Sequence, residues 1–406
     1  MTEAITALLQ TDVAPDITTL IDQHLPATFP ALSICVISQG NVVLNHARGW
    51  LSPEQQDYAI TVDSLFDLAS VTKLFVESAF LTFVSDGAIS LDSPLTEIVP
   101  EFGHMSPRGV DGGQDPFTKE RLPVEQQYQN EKVNPRDVTF RHLLTHTSGL
   151  PPWRDVYNQA SDVPPASPYR NAIVEKSRWQ KALRALTGYP FVGTVGDTVR
   201  YSDIGIMLLG EAVARLNNST LDKAIQDRVC EPLGLTSLIY NPVINGISRN
   251  QIIPTEIDTP WRGRRAWGEV HDENACGVGG VAGHAGLFGT AYDVAQFGQA
   301  WLSGDESLNI SAELRQEAVQ QHGQGQFRMG LGWMLKATEG SSAGDLFGDK
   351  SFGHTGFTGT SLWIDPEQEI VSAVLTNRVY HGRDPEGIHA FRRAIHDLIV
   401  RGIRSL

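Results

Sequence analysis

Ser70 is the only serine of this chain that is followed three residues later by a lysine, in Asp67-Leu68-Ala69-Ser70-Val71-Thr72-Lys73-Leu74-Phe75. Residues three apart share a helix face, so a helix starting at about Ser70 would bring the Lys73 ammonium back over the Ser70 hydroxyl. A hydroxyl beside a basic group is an activated nucleophile for acyl transfer. The unpaired N–H groups and positive dipole end of the same helix start would favour a neutral lysine and stabilise an oxyanion next to Ser70. A lone pair of this spacing also describes a helix cap with a surface lysine, so other stretches must supply the rest of a site.

Two do. Arg200-Tyr201-Ser202-Asp203-Ile204-Gly205 sets a tyrosine where a loop ends and a helix begins, and Gly353-His354-Thr355-Gly356-Phe357 heads a strand. There, two glycines would let a substrate lie against the backbone. Each alone describes an ordinary packed aromatic or strand start. His146, beside a Gly-Pro turn, reads as a structural hydrogen-bonder and stays outside the site. His271, Asp272, Glu273 and His284 lack the helical spacing of a zinc motif and stand among glycines, so no metal is expected. Cys276 to Gly283 contains a Gly-x-Gly-x-x-Ala pattern but neither the preceding strand nor the later acid of a dinucleotide fold, which leaves a tight backbone bend.

The positioning elements follow from periodicity. Residues 16–24 predict a short helix, and Leu32 to Ile37 with Val42 to Leu44 predict a hairpin across Gln39-Gly40-Asn41. Leu74 to Val84 is apolar on nearly every face, a helix buried in the middle of the protein, with Ser85-Asp86-Gly87 ending it. Residues 103–137 are polar and too long for an ordinary connection, a lid or a mobile insertion. Phe140 to Leu144, Ile204 to Leu216 and Leu221 to Val229 predict helices, and strands return only at Gly359 to Ile364 and Ile370 to Thr376, before a closing helix from Ile388 to Ile403. Both ends of the chain thus supply one antiparallel sheet covered by helices. This α+β organisation divides into a discontinuous sheet part, 1–65 with 290–406, and a mainly helical, loop-rich part, 66–289.

Composition narrows the function. A length of 406 residues, 41% of them hydrophobic, allows a large core and no run long enough to cross a membrane. The net charge of −15 argues against a nucleic-acid partner, which would need a cationic surface. Cys35, Cys230 and Cys276 are far apart, and the apolar surroundings of the first two predict buried free thiols. Met1-Thr2-Glu3-Ala4-Ile5-Thr6 has an acid where a secretory signal carries a base, so a cytoplasmic or already processed chain is expected.

Taken together and in order, Ser-x-x-Lys, Tyr-Ser-Asp and His-Thr-Gly resemble the three active-site motifs of the serine β-lactamase and penicillin-binding-protein superfamily. The resemblance runs from the Ala31 hairpin through Leu143-Leu144-Thr145-His146-Thr147-Ser148-Gly149-Leu150 and Gly330-Leu331-Gly332-Trp333 to Thr376-Asn377-Arg378. It is closest to the class C and D-alanyl-D-alanine carboxypeptidase side, which includes esterases and acyltransferases. The stretches 268–275 and 280–288 are similar to penicillin-binding-protein 4B-like proteins and muropeptide amidases. The resemblance implies a helix-covered antiparallel sheet with an inserted helical region and the site in the cleft. It implies that Ser70 attacks a carbonyl, that Lys73 and Tyr201 manage its proton, and that the N–H groups of Ser70 and Phe357 form the oxyanion hole. Asp203, His354, Thr355, Gly356 and Arg378 would contact substrate, and no metal or organic cofactor is needed.

Two positions depart from the commoner pattern. Asp203 replaces an asparagine and can only accept hydrogen bonds; near Lys73 it would keep the lysine protonated and move the base role toward Tyr201. His354 replaces a lysine, so a permanent anchor for a substrate carboxylate is missing; a histidine titrating near neutrality, or Arg378, would have to supply it. The implied activity is a serine hydrolase acting on a small ester or peptide-like amide through an acyl-enzyme. The alternatives are an acyltransferase, a D-alanyl-D-alanine carboxypeptidase, β-lactamase or muropeptide amidase, and a penicillin-binding sensor without turnover.

Overall fold

The stretch with helical spacing near the start forms α1 (Ala14–His24) in the computed structural model, which describes residues 5–165, 176–325, 327–383 and 386–406. The hairpin follows as β1 (Ala31–Ser38) and β2 (Asn41–Gly49), with Ser38 opposite Asn41. Gln39 and Gly40 take φ of 49° and 75°, the mirror-image turn whose twist suits adjoining strands. Further along lie β3 (Phe66–Asp67), α2 (Thr72–Ser85), α3 (Phe140–Leu144), α4 (Asp203–Leu216), β4 (Ile239–Tyr240), β5 (Leu287–Gly289) and α5 (Ala291–Ser303). The chain closes with β6 (Met334–Leu335), β7 (Phe352–Thr355), β8 (Ser361–Asp365), β9 (Ile370–Thr376) and α6 (Glu386–Ile403).

One antiparallel sheet runs in the order β6-β7-β8-β9-β1-β2, with Leu32 facing Thr376 and His354 facing Leu362. Alternation along β1 explains why its sequence is apolar throughout: both faces are covered. Leu32, Ile34 and Val36 meet Ile17 and Ile21 of α1 and Ile388, Phe391, Ile395 and Ile399 of α6. Ala31, Cys35 and Ile37 face the other way, into the core shared with α2 and α5. Each leucine, isoleucine, valine or phenylalanine among them contributes about 1.5–3 kcal/mol by leaving water. Helix α5 lies close on the sheet because Gly298 has no side chain; a Cβ there would stand 2.7 Å from Val371.

Helix α2 is buried from Thr72 to Phe83 and packs against α4. Its start differs from the expectation. Ala69–Val71 form a tighter 3-10 turn, and the α-helix proper begins at Thr72. A second, three-stranded sheet, β3-β5-β4, stands in the middle of the chain where only helices and loops were expected. Strands of two or three residues are too short to leave an alternating pattern.

Residues 103–137 are fastened to the body. Arg108–Gly109 pair with Lys132–Val133, Val110 bridges to Phe191, and Asp111 holds both Arg154 and Arg121. The region predicted as a helix from Leu221 to Val229 is α-helical over Leu221–Ile225 and widens to a π-turn over Gln226–Cys230. All three cysteines are buried free thiols. Among the described residues no helix is long and apolar enough to cross a membrane.

Candidate active site

The Ser70 turn is held from both sides before any catalytic group is considered. Ala69 has φ of +47°, a left-handed conformation that costs a non-glycine residue about 1–3 kcal/mol. The buried Asp67 carboxyl compensates by accepting the Ala69 N–H at 2.9 Å and the His271 N–H at 2.6 Å. From the other side, the β7–β8 turn donates Thr358 Oγ1–H to the Asp67 carbonyl at 2.8 Å and Thr360 Oγ1–H to that of Leu68 at 2.9 Å. Beneath that turn, buried Arg392 donates to the Gly356 and Thr360 carbonyls at 2.8 and 2.7 Å.

On this support Lys73, fully buried, donates to Ser70 Oγ at 2.9 Å and to the His284 carbonyl at 3.0 Å, and its Nζ pairs with Asp203 Oδ1 at 2.7 Å. Three acceptors around one nitrogen match the three protons of an ammonium. Burial pulls the Lys73 pKa down, but Asp203 and then Tyr201 more than offset it, so the net displacement is upward. The neutral resting lysine that the helix start would favour is therefore replaced by a charged one. His284 is fixed in turn by Asp272, 2.9 Å from its Nε2.

Tyr201 lies over Lys73, with Nζ 4.9 Å from its ring centroid. Burial raises its phenol to about 12 even though Lys73 acts in the opposite sense. Helix α4 sets its place: Ser202 caps the helix by accepting the Gly205 N–H at 3.0 Å, which puts Asp203 in the first turn and Tyr201 just outside it. His146 packs on the Tyr201 ring at 4.6 Å between centroids, and its Nδ1 accepts the Ser202 N–H at 3.1 Å. It positions the tyrosine, and burial keeps it neutral.

The β7 residues depart from expectation. His354 is buried; its Nδ1–H donates to the Thr355 carbonyl at 2.8 Å, leaving Nε2 3.5 Å from the Tyr201 hydroxyl. Burial, and secondarily Lys73, push its pKa down to about 3, so it does not titrate near neutrality and supplies no charge there. Gly353 and Gly356 make room for the protein itself. A Cβ on Gly353 would meet the Leu362 carbonyl at 2.1 Å, and one on Gly356 would meet Thr360 Oγ1 at 2.0 Å and the Leu68 carbonyl at 2.6 Å. Thr355, half-buried, ends the strand, so Phe357 lies beyond the ladder. Arg378, expected as a possible anchor for a substrate carboxylate, is buried: its Nε donates to the Phe357 carbonyl at 2.8 Å and its guanidinium lies 4.4 Å over the Phe357 ring.

Of the predicted residues, Ser70, Lys73, Tyr201, Asp203 and His354 converge, while Arg378 serves the turn that carries Phe357. The His284 carbonyl, Asp67 and Glu77 went unnoticed in the sequence. Glu77, one helical turn beyond Lys73, is fully buried with neither carboxyl oxygen hydrogen-bonded to a described residue. Burial raises its pKa to about 8, with Lys73 opposing. His271 and His284 pair with Glu256 and Asp272, and among the described residues no group of three or more potential metal-ligating side chains occurs.

A helix-covered antiparallel sheet with a Ser-x-x-Lys turn at its margin is the architecture of the β-lactamase and transpeptidase class of serine hydrolases. The chain belongs to the β-lactamase family, whose model matches residues 17–396. A protein of Escherichia coli K12, provisionally named a D-alanyl-D-alanine carboxypeptidase, is 27% identical over 384 residues, covering 88% of this chain and 80% of the relative. Solved structures of the same fold include EstCE1, described as a hydrolase with promiscuous acyltransferase activity (TM-score 0.67, 19% identity, 95% of this chain and 98% of that one). Another is the octameric penicillin-binding protein homologue of Pyrococcus abyssi (TM-score 0.65, 21% identity, 97% and 79%). A third is unliganded simvastatin synthase of Aspergillus terreus (TM-score 0.66, 18% identity, 96% and 98%).

Proposed function

We propose that this serine hydrolase transfers the acyl group of a neutral ester or peptide-like amide to Ser70 and then to water. The observation that carries the choice of a neutral substrate is the occupancy of its cations. Lys73 is spent on Ser70, Asp203 and the His284 carbonyl. Arg378 donates to the Phe357 and Arg383 carbonyls, Arg383 pairs with Glu256 and Glu273, and Arg392 lies under the turn. With His354 neutral as well, a substrate carboxylate gains no partner from these groups, whereas Asp203 presents negative charge to the cleft.

In this reading the Lys73–Tyr201 pair must lose one proton before it can act as a base. Tyr201 then takes the Ser70 proton while the Lys73 ammonium stabilises the phenolate, and Oγ bonds to the carbonyl carbon. The oxyanion faces the N–H groups of Ser70 and Phe357. Tyr201 returns the proton to the departing alkoxide or amine as its bond to carbon breaks, and water repeats the sequence to release the acid. The sheet part, 1–65 with 290–406, would supply the oxyanion turn, and the part from 66 to 289 the nucleophile and base. Intact-mass spectrometry after mixing with p-nitrophenyl butyrate, a penicillin and a D-alanyl-D-alanine peptide tests the reading. Transient butyrylation, absent in Ser70→Ala and faster than acylation by either carboxylate-bearing substrate, is expected; faster acylation by the penicillin or the peptide would overturn it.

A further inference from the structure

Phe357 is an expensive residue where it stands. It is 37% exposed, yet its ring is fixed by three groups from other parts of the chain. The Arg378 and Arg383 guanidiniums lie 4.4 and 5.9 Å from its centroid, and the His271 imidazole stacks at 5.7 Å with 24° between planes. Cation–π contacts of this kind return about 0.5–1 kcal/mol each at an exposed site, while ordering the ring costs side-chain entropy and leaves apolar surface in water. A preformed apolar surface does gain when a ligand covers it, because the ordering has already been met. Phe357 sits between Gly356, where a Cβ would lie 3.3 Å from the Ala69 Cβ, and Thr358, which donates to the Asp67 carbonyl, so it is carried on the turn that abuts the Ser70 turn.

A second aromatic flanks the same centre from another segment. Phe327, half-buried, sets its edge against the Tyr201 ring at 6.1 Å, with 78° between planes. Aromatic side chains thus stand on the base side and on the oxyanion side of Ser70, and neither is needed for the proton transfers. Apolar side chains beside a few fixed polar groups are what the binding of a small organic group calls for.

We propose that Phe357 and Phe327 are specificity-determining residues that receive an apolar acyl group, so that the preferred substrates are neutral esters or amides of medium-chain or aromatic acids. This rests on the reading of the site as an acyl-enzyme hydrolase of neutral substrates. A substrate acyl chain covering the part of Phe357 left in water gains roughly tenfold or more for each methylene that a well-formed pocket buries. The Phe357→Ala change keeps the backbone N–H and removes only the ring.

The test compares kcat/KM for p-nitrophenyl hexanoate with that for p-nitrophenyl acetate, so the leaving group and the proton relay are common to both. In the wild type the hexanoate is expected to be favoured, and Phe357→Ala or Phe327→Ala to lower the ratio by about tenfold, with Phe357→Leu restoring part of it. A merely structural role would depress both substrates together and leave the ratio alone. An unchanged ratio in variants that still acylate Ser70 overturns this inference and leaves the hydrolase reading standing. Failure of any neutral ester to acylate wild-type Ser70 overturns both. Because the two phenylalanines lie on separate segments, loss of folding in one variant still leaves the other to decide.

Discussion

Replacing Asp203 by asparagine removes a carboxylate oxygen that lies 2.7 Å from the Lys73 ammonium. At that separation two unit charges attract by about 1.5 kcal/mol in bulk water and about 6 kcal/mol at an effective dielectric of 20. At 1.36 kcal/mol per pH unit this corresponds to roughly one to four and a half units. The Asp203 side chain keeps 21% of its surface in water, so screening favours the lower part of that range. We expect about one to three units, the usual span for an opposite charge in contact. Besides burial, which lowers Lys73 and raises Tyr201, Asp203 raises both groups. Its loss therefore lets the first proton leave the pair at lower pH, whichever member then serves as base. The assay is kcat/KM for a neutral p-nitrophenyl ester, corrected for spontaneous hydrolysis, from about pH 6 to 11, because the wild-type pair holds its proton well above neutrality; the rising limb should move down by about one to three units in Asp203→Asn. The substitution also removes an acid from the first turn of α4, worth about 0.3–1 kcal/mol, so a melting curve should show a folded protein. A folded variant whose limb stays in place or moves upward would refute the charge argument.

Three more predictions concern other buried groups. Because His354 stays neutral, the ratio of kcat/KM for an anionic ester to that for a neutral one should be flat between about pH 8 and 5.5; a ratio that climbs as pH falls would mean the imidazole gains a proton in that range. Glu77 has its folded pKa raised to about 8 by burial, so it favours folding fully below the unfolded value near 4.5 and loses that contribution as pH rises through about 8. Urea unfolding at about pH 5 and 8 should show Glu77→Gln gaining on the wild type by a few kcal/mol over that interval, and an equal difference at both would sink the assignment. Gly356→Ala should lose roughly 1–3 kcal/mol of stability and most of its activity, because the new methyl group pushes the β7–β8 turn away from Leu68; unaltered activity would show that the close approach is dispensable.

The sequence was informative wherever a requirement is written in side-chain type. That Ser70, Lys73 and Tyr201 come together was legible because their side-chain types, in that order along the chain, matched a known set of motifs, and α2 was legible because only a central helix can be apolar all round. The hairpin and β9 were legible from their period and turn residues. Where the work is done by backbone or by environment, the sequence says little. The His284 carbonyl that accepts a hydrogen bond from Lys73 could belong to any residue. His354 looks titratable until its burial is known, and Arg378 looks available to a substrate carboxylate until the Phe357 carbonyl is found beside it. The glycines of the third motif advertised space without saying whether substrate or the protein would fill it.

The pairing of β1 with β9, Ser38 against Ile370 through Leu32 against Thr376, also bears on the order in which the molecule can be made. Synthesis is vectorial, so the β1–β2 hairpin leaves the ribosome long before the strand that completes its other edge. Until then one edge of an apolar strand is unpaired, the condition under which chains associate with one another. The Thr358, Thr360 and Arg392 contacts that hold the Ser70 turn arrive equally late. A nascent chain halted before those residues carries its serine and lysine without the support that aligns them, and offers a bare strand to its neighbours.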